Sequence, residues 1–318
     1  MLRPTFLIVL LTTLVAGLVM ATPQPTEVRL GYFPNITHSQ ALIGVERGDF
    51  AQGLGSDAKL VPTVFNAGPS VIEALFAGKL DLAYIGPSPA VNGFLKSKGQ
   101  ALVIVAGATS GGASLVVRDK LATGVPGSLV GKKLASPQLG NTQDVALRSY
   151  LKTNKIEASV VPMDNPLILD AFRRGDVDGA WLPEPWASRL VVEAGAVRAV
   201  DERTLWPNGR FPTAVVIVSK TFLKDHADLV RLFLKVHAAI TQWEVAHPVE
   251  AQTLANQAIT TITGKGLSAA LLKEAWDKMG LETTFDPKTL DESARDARAL
   301  GFLKGTIDLT GLVDLSYN

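Results

Sequence analysis

The polar residues best placed for chemistry lie in five short turns, each of which follows an apolar strand and opens a helix. The turns occupy residues 33–38, 66–70, 85–89, 140–144 and 183–186. The first residues of a helix leave backbone N–H groups without partners and carry partial positive charge. Several helix starts that face one crevice make an anion-friendly site without any catalytic side chain. The pattern therefore indicates a binding protein before it indicates an enzyme.

The helix start at residues 140–144 carries the strongest local signal. Asn141 is a good N-cap, and Asp144, three positions later, complements the helix dipole. Thr142 and Gln143 would then lie beside open N–H groups, where they can grip an oxyanion. An ordinary capped helix without a ligand is the alternative interpretation.

Further neutral donors come from other helix starts and from a glycine-rich segment. Gly86 precedes Pro87, and Ser88 lies between Pro87 and Pro89, two prolines that stiffen the turn; Ser88 offers a hydroxyl and an open N–H group. Ser110 and Gly111 follow an apolar strand, where glycine lets the backbone approach a ligand or act as a hinge. His38 is predicted at a helix start, where it can donate to an anion or make binding depend on pH.

Glu184 and Trp186 complete the set of candidates. Trp186 offers a flat apolar wall with one N–H donor. An unpaired Glu184 carboxylate would repel an anion, so it either accepts N–H bonds at its own helix start or meets an amine of a zwitterionic ligand. The residues predicted to contact the ligand are Asn35, His38, Gly86, Ser88, Ser110, Gly111, Asn141, Thr142, Gln143, Glu184 and Trp186.

Composition excludes several classes of function. The 318 residues suffice for two ordinary domains, and the net charge of +1 gives no indication of a nucleic-acid surface. The chain has no cysteine, which excludes disulfides, thiolate nucleophiles and Fe–S clusters. The motifs of serine hydrolases, zinc proteases, P-loop proteins and dinucleotide-binding enzymes are missing as well. We expect no enzyme, no cofactor and no metal.

The N-terminal segment has the pattern of a secretory signal. Arg3 supplies a positive charge, and residues 6–20 form an apolar run broken only by two threonines and a glycine. This run is shorter than the roughly 20 apolar residues of a spanning helix. We expect a signal peptide over residues 1–21, cleaved after Ala21, and a periplasmic product that is not a lipoprotein. An uncleaved anchor is the alternative.

The elements that must position these turns are short apolar strands alternating with helices of about ten residues, which predicts an α/β fold with a mostly parallel sheet. Strands are predicted at 28–33, 60–65, 81–85 and 102–105, and the pattern restarts at 114–117, 158–163, 177–182 and 213–218. Thr37 is predicted to cap the first helix, with Gln40 reaching back as in a capping box. After Ser219 the pattern is nearly all helical.

Two blocks of this kind with a helical C-terminal tail predict two lobes joined by two crossing segments. The first lobe is predicted to be discontinuous, with residues 28–109 and 214–318, and the second to hold residues 110–213. In open α/β sheets, ligands bind at the carboxyl ends of strands, at switch points of the topology. We therefore expect the site in the cleft between the lobes.

Several of these segments also resemble a known family. Residues 31–38, 86–88, 140–144 and 184–186 resemble the substrate-binding proteins of nitrate, sulfonate and taurine ABC importers, most of all the aliphatic-sulfonate group. The resemblance implies a type II periplasmic-binding fold and delivery of the ligand to an inner-membrane permease with an ATPase. By matching segments, it implies a site formed by His38, Ser88, Ser110, Thr142 and Gln143, with Trp186 nearby.

The resemblance and the turns together predict a small organosulfonate, such as an aliphatic sulfonate or taurine, bound by a monomer. The nitrate and bicarbonate binders of this family often have a basic side chain in the pocket, whereas the five turns hold no lysine or arginine. Nitrate remains an alternative. A second alternative is a neutral or cationic heterocycle, such as a thiamine-precursor pyrimidine, stacked on Trp186 with Glu184 as its partner.

Overall fold

The structure, a computed structural model, describes residues 24–317, so the predicted signal peptide lies outside the described residues. Within that range no helix is both long enough and apolar enough to cross a membrane. The strands are β1 (Thr26–Tyr32), β2 (Ala58–Val64), β3 (Leu82–Ile85), β4 (Leu102–Gly111), β5 (Ala113–Arg118), β6 (Lys133–Ser136), β7 (Ser159–Pro162), β8 (Gly179–Pro183), β9 (Ala196–Asp201), β10 (Pro212–Ser219) and β11 (Met279–Leu281).

Helices separate most of the strands, as the alternating pattern predicts. They are α1 (Ser39–Glu46), α2 (Asp49–Leu54), α3 (Gly68–Phe76), α4 (Pro87–Lys96), α5 (Asp119–Ala122), α6 (Thr142–Thr153), α7 (Asn165–Arg174), α8 (Trp186–Ala194), α9 (Lys220–Asp225), α10 (Ala227–Ala246), α11 (Pro248–Thr263), α12 (Ala269–Trp276) and α13 (Thr289–Ala299). Short 3₁₀ turns lie at Ile36–His38, Gly127–Leu129, Glu202–Leu205, Pro207–Gly209 and Leu315–Tyr317.

In residues 24–317 the strands form two sheets. The first has the order β11-β4-β10-β3-β1-β2, and the second has the order β7-β6-β8-β5-β9. β1 is parallel to β2 and β3, while β10 runs antiparallel between β3 and β4. β6 is parallel to β7 and β8, and β5 is antiparallel to β8 and β9. Each sheet with its helices is called a lobe below.

The chain passes between the sheets near residue 112 and again between β9 and β10. Ser110 and Gly111 belong to the first sheet, beyond the predicted boundary, because Ser110 pairs with Pro212 and Gly111 pairs with Met279. The return strand β10 likewise begins at Pro212, slightly before the predicted position. Pairing with β10 and β11 thus extends β4 further than its apolar run indicates.

The predicted capping box at the first helix is wrong. A 3₁₀ turn precedes α1, which begins at Ser39, and no side chain caps either element. The amide Nε2 of Gln40 instead donates to the carbonyl oxygen of Ala108 at 2.8 Å. A buried amide must find a partner, and β4 supplies one that the local sequence pattern cannot reveal.

The C-terminal part is also less helical than predicted. β11 joins the outer edge of β4, and further along β4 the Ile104 N–H group donates to the Leu312 carbonyl oxygen at 2.7 Å. Asp314 returns a hydrogen bond to the Ile104 carbonyl oxygen at 2.9 Å. β9 was not predicted either. These segments complete sheet edges, which otherwise leave backbone groups unpaired.

The core fixes the strand ends rigidly. β3 is buried along its whole length. Leu82 and Tyr84 point into the apolar cluster that includes Phe233 of α10, while Ala83 and Ile85 point into the cluster on the opposite face. Burial on both faces is expected of a strand with a continuous apolar sequence. The turns that follow such strands are therefore held in place.

Candidate functional site

The five predicted turns meet at one cavity between the lobes. The cavity measures about 20 Å³, room for about one water molecule. An organic ligand therefore requires the lobes to separate from the arrangement described. The lining residues are Phe33, Asn35, Thr37, His38, Asn66, Ala67, Gly68, Gly86, Pro89, Pro137, Asn141, Thr142, Gln143, Asn165, Pro183 and Thr213.

Helix starts supply much of this lining. Gly68 is the first residue of α3 and Gly86 the N-cap of α4, both in the first lobe. Asn141 is the N-cap of α6 and Asn165 the first residue of α7, both in the second lobe. Because the N-terminal ends of these helices carry partial positive charge, their convergence favours negative charge in the cavity.

The start of α6 is fixed by the hydrogen bonds that the sequence predicts. The Asn141 side chain accepts from the Asp144 N–H group at 2.7 Å, which confirms the N-cap. The Asp144 carboxylate accepts from the Gly140 N–H group at 2.9 Å and pairs with Arg148 at 3.0 Å. Gln143 accepts from the Asn141 amide at 3.2 Å. The one acid of this turn is therefore neutralised.

Two buried oxygens in the cavity lining lack hydrogen-bond partners. They are Oγ1 of Thr142 and Oδ1 of Asn165. An unsatisfied buried polar group costs about 1–3 kcal/mol, and such groups are rare in folded proteins. Both side chains are therefore available to a ligand. Asn165 was not predicted, although Met163-Asp164-Asn165-Pro166 follows a strand and opens a helix just as the five chosen turns do.

His38 is a neutral donor in this site. The Phe33 N–H group donates to its Nδ1 at 3.3 Å, so the proton of the neutral ring lies on Nε2. Burial lowers the pKa of His38 to about 3. The ring stacks on Phe33, with 4.4 Å between the ring centroids. His38 can therefore donate a hydrogen bond to an anion, but it carries no charge near neutral pH.

The cavity is lined by uncharged side chains only, as far as the described residues show. Carboxamides are frequent among them: Asn35, Asn66, Asn141, Gln143 and Asn165. No group of three or more His, Asp or Glu side chains within residues 24–317 could hold a metal ion. The arrangement offers hydrogen bonds and helix dipoles to a ligand, with no counter-ion.

Glu184 does not line the cavity. Its fully buried carboxylate accepts from the Ser188 N–H group at 3.0 Å and lies 2.9 Å from the Arg198 guanidinium. Burial raises the pKa of Glu184, and Arg198 acts against that rise. The sequence left two roles open for this carboxylate, N–H bonds at its own helix start or contact with an amine of the ligand. In the structure it lies at its own helix start.

The structure brings together six of the predicted contact residues and sets five others outside the lining. Ser110 and Gly111 are paired within the first sheet. Trp186 donates from Nε1 to Oδ1 of Asn35 across the lobes at 2.8 Å. In the lining are Asn35, His38, Gly86, Asn141, Thr142 and Gln143, and outside it are Ser88, Ser110, Gly111, Glu184 and Trp186.

Two α/β lobes around a cavity lined by helix starts define a binding protein of the periplasmic type. The chain belongs to the NMT1-like family, which matches residues 21–260. The taurine-binding periplasmic protein of Escherichia coli K12 is 26% identical over 188 residues, which cover 58% of this chain and 57% of that relative. The chain thus matches just over half the length of this relative.

Solved structures share the fold over nearly the whole chain. The alkanesulfonate-binding protein SsuA of Xanthomonas axonopodis pv. citri, bound to MOPS, aligns with a TM-score of 0.74 and 18% identity, covering 92% of this chain and 99% of that one. The periplasmic nitrate-binding protein NrtA of Synechocystis PCC 6803 aligns with a TM-score of 0.74 and 13% identity, covering 93% and 88%. These relatives are named as binding proteins and not as enzymes, and together with the family match they confirm the resemblance seen in the sequence. The structural alignments confirm the predicted fold.

Proposed function

We propose that this chain is the extracytoplasmic substrate-binding protein of an ABC importer and that it captures a small organosulfonate between its lobes. The observation that carries the proposal is the convergence of five helix-opening turns on one uncharged cavity. Such a cavity suits a ligand with one negative charge, because helix dipoles compensate that charge without a buried counter-ion. The names of the relatives, taurine-binding and alkanesulfonate-binding, support the same ligand class.

The sulfonate group suits the donors in this cavity. Its oxygens can accept from the Thr142 hydroxyl and from Nε2–H of His38, and Thr142 has no protein partner to give up. A hydrogen bond to a charged group contributes about 1.5–3 kcal/mol. Neutral donors also avoid the desolvation of a buried ion pair. Phe33 and the prolines of the lining supply an apolar surface for the carbon part of the ligand.

Nitrate is the second candidate, and the size of the cavity favours it. A cavity of about 20 Å³ must open less for a planar four-atom anion than for an alkanesulfonate. A pyrimidine with an amine group is less well supported. Glu184, its expected partner, is paired with Arg198 outside the lining.

The remaining parts of the proposal concern delivery and location. We propose that the chain is exported by the signal peptide at residues 1–21, remains a monomer in the periplasm without a lipid anchor, and hands its ligand to an inner-membrane permease with an ATPase. The taurine-binding and nitrate-binding relatives are both named as periplasmic proteins, which supports the proposed location.

Isothermal titration calorimetry of the mature protein with methanesulfonate, ethanesulfonate, taurine and nitrate tests the ligand class. We expect saturable heat from the sulfonates and little from nitrate. Thermal shifts provide a second readout, because a ligand at 100 times its dissociation constant adds about 2.7 kcal/mol of stability. Binding of nitrate alone would favour the second candidate. A hydroxymethyl-pyrimidine, titrated in the same way, should not bind. Binding of the pyrimidine without binding of any sulfonate, or binding of none of these compounds at millimolar concentration, would reject the sulfonate proposal.

A further inference from the structure

The two lobes touch closely at Gly86. This residue is the N-cap of α4 in the first lobe, and it faces Thr142 at the start of α6 in the second lobe. A Cβ atom built on Gly86 would overlap Oγ1 of Thr142 and would lie 3.1 Å from the Thr142 Cβ. With the Thr142 side chain in its present rotamer, the lobes could not approach this closely if residue 86 carried a side chain.

The backbone at Gly86 does not itself require glycine. Its φ of −71° and ψ of 153° are extended values that any residue adopts. Glycine is needed at many other turns for a positive φ, and that reason does not apply here. The contact across the cleft is the feature that explains the glycine.

A hydrogen bond between Asn35 and Trp186 holds the lobes together nearby. Asn35 is an N-cap, yet its side chain makes no capping hydrogen bond with the helical turn that it precedes. Its Oδ1 atom instead accepts from Nε1–H of Trp186 in the other lobe at 2.8 Å. Both residues are buried. A second cross-lobe bond, from Asn66 to Asp164 at 3.0 Å, is exposed and competes with water.

We propose that Gly86 and the Asn35–Trp186 hydrogen bond set how far the two lobes close. Both position the lobes. The missing side chain at Gly86 lets the first lobe approach Thr142, and Trp186 donates the hydrogen bond to Asn35 that joins the lobes when they close. Because the cavity of the described arrangement has room for about one water molecule, a larger ligand binds with the lobes further apart, and both elements favour the more closed form. This proposal does not depend on which ligand binds.

The first test is Gly86→Ala, compared with Gly127→Ala as the matched control. A Cβ at Gly127 meets nothing within 4 Å. Because the chain has no cysteine, Lys79→Cys and Thr153→Cys place one spin label on each lobe without background labelling. We expect Gly86→Ala to lengthen the distance between the labels and to raise the radius of gyration in X-ray scattering. Gly127→Ala should change neither value.

A second substitution in the Gly86→Ala background identifies the obstructing atoms. Thr142→Ala removes Oγ1, the nearest obstruction, and leaves only the 3.1 Å approach to Cβ. The double variant should therefore recover most of the wild-type label distance. Circular dichroism and thermal unfolding establish that each variant is folded before its distances are compared.

The second test is Trp186→Phe, with Trp243→Phe as the control. Phenylalanine keeps an aromatic ring under Arg189, whose guanidinium carbon lies 4.9 Å from the tryptophan ring centroid, but it cannot donate to Asn35. Trp243 lies on α10 and does not line the cavity. We expect Trp186→Phe to lengthen the label distance and Trp243→Phe to leave it unchanged.

Wild-type label distances in both Gly86→Ala and Trp186→Phe would overturn the proposal. The label distances are measured without ligand. They therefore test the proposal on lobe closure separately from the proposal that the ligand is a sulfonate.

Discussion

At the level of single residues, the hydroxyl of Thr142 is the clearest candidate for direct contact with a ligand. It is buried in the cavity lining without a hydrogen-bond partner. An unpaired hydroxyl destabilises the folded protein, whereas the same group paired with a ligand contributes to affinity. Stability and binding should therefore respond to its removal with opposite signs.

We predict that Thr142→Val lowers the affinity for the ligand about tenfold, which corresponds to about 1.4 kcal/mol. The free energy of unfolding should stay unchanged or rise by up to about 1 kcal/mol, because the nearly isosteric methyl group needs no partner. Calorimetry with methanesulfonate and urea unfolding measure the two effects. Thr253→Val, at an exposed threonine of α11, is the control. Unchanged affinity in Thr142→Val would remove this residue from the site.

Buried titratable residues make the stability of the first lobe depend on pH in two opposing ways. Burial lowers the pKa of His38 to about 3 and that of His237 to about 4. Between these values and about 6.5 the unfolded chain binds more protons, so these two histidines make stability fall as pH falls. Burial raises the pKa of Glu244 to about 8, so this residue makes stability fall as pH rises from about 4.5 to 8.

We predict that Glu244→Gln reduces the loss of stability that accompanies a rise in pH. Between about pH 5.5 and 7 the carboxyl is ionised in the unfolded chain and protonated in the folded one, so Glu244 should contribute a slope of about −1.4 kcal/mol per pH unit, which vanishes as pH rises through about 8. Burial raises the pKa of Glu202 to about 7, and its contribution of the same sign remains in both proteins. Glutamine can still accept from the Ser39 hydroxyl, which lies 2.6 Å from the carboxylate. Urea unfolding across this pH range measures the slope, with Glu250→Gln, at an exposed glutamate, as the control. An unaltered slope in Glu244→Gln would contradict the assignment.

At the level of elements, the start of α6 combines two roles in one residue. Asn141 caps the helix and also lines the cavity. An aspartate at this position caps as well as asparagine does, but it adds a negative charge beside the proposed anion. The two roles can therefore be separated by choice of substitution.

We predict that Asn141→Ala destabilises the protein by about 1 kcal/mol, because the Asp144 N–H group loses its acceptor. Asn141→Asp should retain wild-type stability and yet bind methanesulfonate at least tenfold more weakly, owing to like-charge repulsion. Thermal unfolding and calorimetry on the two variants give both quantities. Wild-type binding by Asn141→Asp would mean that the anion does not lie at this helix start.

At the level of the whole molecule, the C-terminal part connects the two lobes. Glu274 of α12 lies 3.4 Å from Arg198 of β9, the same arginine that pairs with Glu184. The chain then returns to the first sheet, where Leu312 is fully buried beside β4. Leu312 is therefore part of the core of the first lobe.

We predict that Leu312→Ala lowers the free energy of unfolding by about 2–5 kcal/mol, although this residue lies near the C-terminus. The loss follows from the cavity that a deleted leucine side chain leaves in a packed core. Leu167→Ala, at a leucine 57% exposed on α7, should change stability by no more than about 0.5 kcal/mol. Urea unfolding compares the two, and equal effects would contradict the burial of Leu312.

The sequence by itself determined the alternation of strands and helices and the five turns that meet at the cavity. Apolar periodicity and turn chemistry act within a few neighbouring residues, so patterns such as Asn141 with Asp144 predict local structure directly. The same reasoning missed β9, β11 and Asn165, where strand pairing or position in the cleft decides the outcome.

Only the tertiary structure decided which polar groups keep free hydrogen-bonding capacity. The Glu184 carboxylate is paired with Arg198 outside the cavity lining. A side chain at residue 86 would meet Thr142 across the cleft. A hydrogen bond or a packing contact forms between atoms that the fold brings within about 3–4 Å of each other. Such atoms often belong to residues that are far apart in the sequence.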